Sequence, residues 1–259
     1  VLYHLVGYRK QVVTQNLQRS FPDKTPAEIK KIRVDFYRYL CDLFLETFKT
    51  LTISAKSMQK HCKLSEEAQA LFTRLNNDKK NIILVMGHYG NWEWAGNVFS
   101  LLCPQQLYVI YHPLSNKYFN GLMYKMRTRF GTKLIEMNDT FRAMVSNRNI
   151  INATAFIADQ TPQPQNAFWT NFLNQDTPVF YGTEKIARKL NSPVVYVSVK
   201  RYKRGYYEIF AEMLEDKPSA TVDGELSSLH TKRLEKDIIG QPETWLWSHR
   251  RWKHTKPVF

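Results

Sequence analysis

The run Ile82-Ile83-Leu84-Val85-Met86, ending at Gly87, is the feature that most narrows what this chain can fold into. Five consecutive apolar residues do not fit a strand with one face in water, because alternate side chains would then be polar. Such a run needs cover on both faces, as in a buried strand of parallel-sheet type. Around it strands and helices alternate. Helices are expected at about Trp92 to Leu102, Asn116 to Phe130, around Phe141, Lys185 to Leu190 and Leu226 to Ile239. Strands are expected at Leu107 to Tyr111, Lys133 to Ile135, Ala153 to Ala158, Val194 to Lys200 and Tyr206 to Met213.

The first fifty residues read as helical. Thr25-Pro26-Ala27-Glu28 has the form of a capping box with Pro at the first helical position, and Ile29, Phe36, Tyr37, Leu40, Leu43 and Phe44 recur at helical spacing. Met58 to Asn77 reads as a polar loop and a short helix. The expected class is α/β, with α+β still open: a central, mostly parallel sheet flanked by helices, with a helical N-terminal layer. No repeat, low-complexity tract or linker divides the sequence, so residues 1–259 are expected to form a single domain. Thr161-Pro162-Gln163-Pro164-Gln165 is short enough to be a loop after a strand.

Charge says something about partners. Lys and Arg number 37 against 23 Asp and Glu, a net charge of +14, which suits a phospholipid, a phosphorylated substrate, an acidic protein or nucleic acid without choosing among them. The three cysteines, Cys41, Cys62 and Cys103, are odd in number and form no C-x-x-C, which argues against a disulfide framework or a zinc ribbon. No stretch reaches the roughly 18 apolar residues of a spanning helix, and the chain opens at Val1 rather than Met, so an N-terminal piece is expected before it.

The chemistry is carried by Gly87-His88-Tyr89-Gly90-Asn91-Trp92-Glu93-Trp94, where the buried strand gives way to a helix. On one continuous helix, His88 and Glu93 would point about 140° apart. Across a strand-to-helix turn they can meet. Asn91 is a suitable N-cap, which puts Glu93 in the first turn, where the helix dipole favours a carboxylate. Such a pair would make His88 a general base whose tautomer Glu93 fixes. From spacing alone, a lone histidine at a strand end also fits a structural or surface role. H-E-x-x-H, G-x-S-x-G, the P-loop and G-x-G-x-x-G are all absent, so zinc proteolysis, serine hydrolysis and nucleotide binding lose their usual signatures.

The chain resembles the late acyltransferases of lipid A biosynthesis, the lauroyl/myristoyl transferase family of the lysophospholipid acyltransferase-like superfamily. The likeness runs through Tyr8-Arg9-Lys10, Asn16-Leu17 and Phe21-Pro22 to Gly87–Trp94, which matches the family's H-x4-D/E motif. It continues through Tyr111-His112-Pro113-Leu114, Asn116, Arg127-Thr128-Arg129, Ala158-Asp159-Gln160, Gly182 and Ala187-Arg188, and ends in Trp245-Leu246-Trp247-Ser248-His249-Arg250-Arg251-Trp252-Lys253. Two departures stand out. His112 occupies a position where the family commonly has Arg, and the membrane-spanning helix with which the family usually begins would lie before Val1.

The resemblance implies an acyltransferase at the cytoplasmic face of the bacterial inner membrane. It would move a fatty acyl group from an acyl carrier protein or coenzyme A thioester onto a hydroxyl of a lipid A precursor. His88 and Glu93 would be catalytic. Arg127, Arg129 and Asp159 would lie near the active site and bind substrate together with Asn91, and no metal or redox cofactor would be needed. A guanidinium suits a phosphate, and a carboxylate after the strand ending at Ala158 sits where open α/β sheets place ligands. Arg127 and Arg129 are about 200° apart on a helix, so only one of them is expected to contact substrate. The same chemistry on a glycerophospholipid, aminolipid or glycolipid is the alternative.

The terminal block of Trp245, Trp247 and Trp252 among His249, Arg250, Arg251 and Lys253 fits a membrane headgroup interface, a base-stacking groove or core tryptophans beneath solvated arginines. A basic nucleic-acid-binding module built on that block would leave His88 and Glu93 unexplained. The expected partners are therefore acyl carrier protein, an anionic lipid or glycolipid and the membrane surface, and not nucleic acid.

Overall fold

Why five apolar residues run unbroken is answered by the two cores that meet at this strand. A computed structural model of the protein describes residues 7–257. The part of the expected N-terminal helical layer that falls on residues 1–6 lies outside them. The described part of that layer is α1 (Lys10–Ser20) and α2 (Pro26–Lys49). The capping box forms: the Thr25 hydroxyl accepts from the Glu28 N–H, and the Glu28 carboxylate accepts from the Thr25 N–H at 2.8 Å. Met58 to Asn77 is more ordered than its polar composition suggests. α3 (Ala55–His61) and α4 (Glu66–Asn77), both started by serine N-caps, flank the short strand β1 (Cys62–Leu64).

The alternating part follows as β2 (Ile82–Met86), α5 (Trp92–Leu102), β3 (Gln106–Tyr111), α6 (Lys117–Thr128), β4 (Lys133–Glu136), α7 (Thr140–Ser146) and β5 (Asn152–Ile157). A hairpin of β6 (Ala167–Phe172) and β7 (Gln175–Phe180) comes next, which the sequence pattern does not announce. The chain then continues through α8 (Gly182–Leu190), β8 (Val194–Lys203), β9 (Tyr206–Glu215) and α9 (Glu225–Gly240). None of the helices among the described residues is long and apolar enough to cross a membrane.

The main sheet has seven strands in the order β1-β9-β8-β2-β5-β3-β4, and only β8 and β9 pair antiparallel. β2 therefore lies between two parallel neighbours. Ile82 and Leu84 pack into one core with Phe72 of α4 and Trp94, Val98 and Phe99 of α5. Ile83 and Val85 pack into the other with Leu17 of α1, Leu40 of α2, Ala187 of α8 and Leu234 of α9. The sequence expectation of a mostly parallel α/β sheet flanked by helices holds.

The strand order creates a switch point. From β2 the chain crosses to β3 on one side of β5, whereas after β5 it returns to β8 on the far side of β2. Connections leave in opposite directions above the carboxyl ends of β2 and β5, which opens a crevice there. The segments entering that crevice start at Gly87 and Ala158.

The turn after β2 is held from several directions. Gly90 has φ +60°, its N–H donates to the Thr244 carbonyl at 3.0 Å, and its carbonyl accepts from the Tyr39 hydroxyl at 2.5 Å. A Cβ on Gly90 would stand 1.8 Å from the Val199 carbonyl oxygen. Backbone cannot retreat from such a contact without moving β8. Gly90→Ala is therefore expected to lower stability by about 2 to 4 kcal/mol, read as a fall in the urea midpoint, because left-handed strain and overpacking add. A midpoint unchanged from wild type would show that the turn is not held as described.

Candidate active site

The pairing register of β2 and β5 brings the site together. Met86 is opposite Ile157, and the Ala158 N–H donates to the Met86 carbonyl at 3.0 Å, so the next residues on each strand, Gly87-His88 and Asp159, emerge side by side. Gly87 gives them room: a Cβ there would lie 3.2 Å from the Asp159 Oδ2 and 2.7 Å from the Leu234 methyl carbons.

Asp159 takes the place that the sequence reading assigned to Glu93. His88 Nδ1 lies 2.6 Å from Asp159 Oδ1, the His88 backbone N–H donates to Oδ2 at 2.8 Å, and the Trp245 indole N–H donates to the same oxygen at 2.8 Å. The Asp159 side chain is only 4% exposed. Burial alone would raise its pKa, but the charge of His88 and these hydrogen bonds outweigh that and bring it down to about 2. In the neutral imidazole, a carboxylate at Nδ1 favours the tautomer with its proton on that nitrogen, which turns Nε2 to the cavity as an acceptor. Gln160 Nε2 lies 3.4 Å from that nitrogen, and Trp92 meets the ring edge-on at 4.9 Å.

Glu93 lies in the first turn of α5, as expected, yet its carboxylate is turned to Arg127. The guanidinium grips it with two bonds, Nε to Oε2 at 3.0 Å and Nη2 to Oε1 at 2.6 Å. The pairing of Glu93 with His88 is thus corrected. A planar cation with two matched donors binds a carboxylate better than one imidazole N–H can, and the β5 end offers His88 a carboxylate already in register. His88, Glu93 and Arg127 nevertheless line one cavity of about 280 Å³, with Trp92, Tyr111, His112 and Gln160 also on its walls. A larger hollow of about 430 Å³, lined by Asn81, Asn152 and Ser192, is at the opposite ends of the strands and has none of these groups.

Three further expectations are corrected. Asn91 is fully buried: its carbonyl caps α5 by accepting from the Trp94 N–H at 2.9 Å, and its amide donates to Glu46 at 2.8 Å. It shapes the turn and is closed to substrate. Arg129 turns away from the cavity and donates to the carbonyls of Thr50 and of Ile53, the latter at 2.6 Å. Of the two arginines, Arg127 faces the site, as the helical offset requires. Asp159, expected beside substrate, is packed beneath His88 instead.

The terminal block belongs to the core. Trp245 and Trp247 are buried, Arg251 is 1% exposed, and the Trp252 indole donates to Thr177 at 2.7 Å. Its backbone also pairs with the turn after β2, with the Leu246 N–H donating to the His88 carbonyl at 3.1 Å. Buried rings cannot stack on bases, which removes the basis of the nucleic-acid reading. Sequence reasoning had assigned no role to Trp92 and Gln160 of the site, and it had not tied Trp245 to Asp159. The signal for them was adjacency to His88 and Asp159 and the density of tryptophan. Among the described residues there is no group of three or more His, Cys, Asp or Glu side chains placed to hold a metal ion.

The sequence model of the family described as "Bacterial lipid A biosynthesis acyltransferase" matches residues 2–254. Among curated proteins, the chain is 24% identical over 253 residues to the Lipid A biosynthesis palmitoleoyltransferase of Escherichia coli (strain K12), covering 96% of this chain and 80% of that protein. It has the same identity and coverage with the Lipid A biosynthesis acyltransferase of Shigella flexneri.

The lowered pKa of Asp159 sets a pH test. A carboxylate depressed from 3.8 to about 2 contributes stability above its unfolded-state pKa and loses it as pH falls through its folded-state pKa. The stability gap between wild type and Asp159→Asn is expected to be full above about pH 5 and to shrink as pH falls from 4 towards 2, measured by urea midpoints at each pH. A gap independent of pH over that window would contradict the assignment.

Proposed function

The chain belongs to the bacterial lipid A biosynthesis acyltransferase family and is an acyltransferase, and from that premise we propose that His88 is its general base and that Asp159 fixes the imidazole. The carrying observation is the 2.6 Å contact between His88 Nδ1 and Asp159, which leaves Nε2 as a proton acceptor in the cavity that Glu93 and Arg127 also line. The reaction is acyl transfer onto a lipid A precursor. Nε2 takes the proton of the acceptor hydroxyl, the alkoxide attacks the thioester carbonyl, and the carrier thiolate leaves as the ester forms. The imidazolium formed in the first step is stabilised by Asp159 and returns its proton to the thiolate.

The first N–H groups of α5, at Trp92 and Glu93, have no partner within the helix and are the donors available to the developing oxyanion. Arg127, braced by Glu93, keeps N–H groups for an anionic group of the acceptor. Its role is substrate positioning, and Glu93 holds it there. The donor is an acyl carrier protein or coenzyme A thioester, and the +14 charge favours an acidic carrier.

We place the cavity mouth against the cytoplasmic face of the inner membrane. Leu114 and Met137 line the cavity and are exposed at its rim. Beside them α6 presents Tyr118, 93% exposed, and Phe119, together with the exposed Lys117 and Lys125. Aromatic and cationic side chains together suit an anionic headgroup layer. Trp245 and Trp247 cannot serve this purpose because they are buried, and the Trp252 indole is tied to Thr177.

Four outcomes test this. His88→Ala and Asp159→Asn should each lower turnover by roughly 10²- to 10⁴-fold in folded protein, the usual contribution of a positioned base; a folded His88→Ala variant with wild-type turnover would sink the mechanism. Arg127→Ala should weaken use of a phosphorylated acceptor by about 1.5 to 3 kcal/mol in kcat/KM, less with a dephosphorylated one, and Lys should restore only part. Mass spectrometry of the acylated product identifies the acceptor, and a glycerophospholipid product would assign the alternative. Replacing Tyr118 and Phe119 by Ser should reduce binding to anionic vesicles at low salt, and unchanged binding would remove α6 from the membrane face.

A further inference from the structure

Asp159 borders a second enclosed space, distinct from the catalytic cavity. Its walls are mostly apolar, with Met86, Phe172, Tyr196 and Leu234, and the polar exceptions beside Asp159 include His230 of α9 and Arg251 of the terminal segment. The space is about 10 Å³. A single water needs roughly 10 to 15 Å³, so solvent cannot hydrate a charge here beyond one molecule at most.

Arg251 is nonetheless in this wall, 1% exposed, and its Nε and Nη1 have no hydrogen-bond partner among the described residues. The Nε2 of His230 is likewise without one. The Arg251 guanidinium meets the Phe172 ring at 6.0 Å, a weak contact for a cation, so a buried charge with two unbonded N–H groups still calls for a counter-charge close by. Burial lowers the guanidinium to about 10, which still leaves it charged at neutral pH, and the carboxylate that opposes this shift is Asp159. His230 does not compete for that role, since burial pushes its pKa down to about 4 and keeps it neutral.

We infer that Arg251 is a positioning residue for catalysis: its buried guanidinium is the fixed counter-cation of Asp159 and keeps the His88–Asp159 pair electrically balanced while His88 is the free base. The inference rests on the reading of His88 as the base. With Arg251 present, Asp159 is neutralised without a proton on His88. Without it, the buried carboxylate would carry an unbalanced charge whose nearest remedy is to draw a proton onto His88, and a protonated imidazole cannot accept one from the acceptor hydroxyl.

The groups around the pair do not supply a substitute. On the cavity side Glu93 and Arg127 neutralise each other, and His112 is exposed on the wall. On the Asp159 side stand His230 and His249, and burial lowers both to about 4. Lys253 acts on His249 from the segment beyond.

The test uses the full chain and reads kcat/KM against pH. Arg251→Met should move the acid limb of the profile upward by about one pH unit, a roughly tenfold loss on that limb, while the plateau above it stays within a few-fold of wild type. Arg251→Lys, which retains a cation, should hold the limb near its wild-type position. A residue that merely filled space would lower activity equally at every pH. A folded Arg251→Met protein whose limb coincides with wild type, or whose loss is uniform with pH, overturns the inference.

Stability supplies a second reading that does not depend on turnover. Asp159→Asn/Arg251→Met removes both charges together and should be more stable in urea than Arg251→Met alone; a double variant no more stable than the single one also overturns it. If His88→Ala keeps wild-type turnover, the base assignment is what fails. The stability coupling between Arg251 and Asp159 then still decides the counter-cation role.

Discussion

The parallel pairing of β2 with β5 is the constraint on which the site depends, because it sets two chain segments 71 residues apart at one height above the sheet. A slip of one residue would turn either His88 or Asp159 to the opposite face, since side chains alternate along a strand. Apolar burial makes the slip costly: Ile83 and Val85 feed one core while Ile82 and Leu84 feed the other. The same burial that gives the sheet its stability thus holds His88 and Asp159 in register.

A strand end is a poor platform by itself, and the remaining layers of the molecule converge on it. From α2 come the Tyr39 hydroxyl on the Gly90 carbonyl and Glu46, which binds the Asn91 amide and accepts from Tyr207 at 2.7 Å. The backbone of the terminal segment pairs with His88 and Gly90, and the indole of Trp245 reaches Asp159. Glu46 shows how these ties work. Burial raises its pKa, and the hydroxyl of Tyr207 and the amide of Asn91 act against that rise. Buried polar groups of this kind are tolerated because they are bonded, and once bonded they leave the turn only one conformation.

Electrostatic pairing follows the same logic of matching donors. Arg127 and Arg129, two residues apart, meet different acceptors: the first a carboxylate in the cavity, the second the carbonyls at the end of α2 and the start of α3. Arg129 thereby anchors the C-terminal end of α6 while Arg127 projects into the site. The chemistry of the side chain is identical in both cases, and the helical offset decides which faces the cavity.

Much of this was legible in local pattern. The unbroken run of β2, the capping box of α2, the Asn91 cap and the near-complete alternation of strands and helices follow from periodicity and capping, which depend only on neighbouring residues. The hairpin of β6 and β7 was not legible, because its two-residue turn uses Leu173 and Asn174 at positive φ where an Asn-Gly pair would have signalled it. Leu173 is 1% exposed, so burial offsets the strain at that position. The sequence by itself determined the strand-to-helix turn that carries His88, the first-turn place of Glu93 and the opposite directions of Arg127 and Arg129. Only the tertiary structure decided that Asp159 rather than Glu93 meets the imidazole, that Asn91 and Arg129 are bound within the scaffold, and that Trp245, Trp247 and Arg251 of the terminal block are buried. Each of these is a choice between partners far apart in the chain, and such choices are made by strand order and register, which no local pattern of residues encodes.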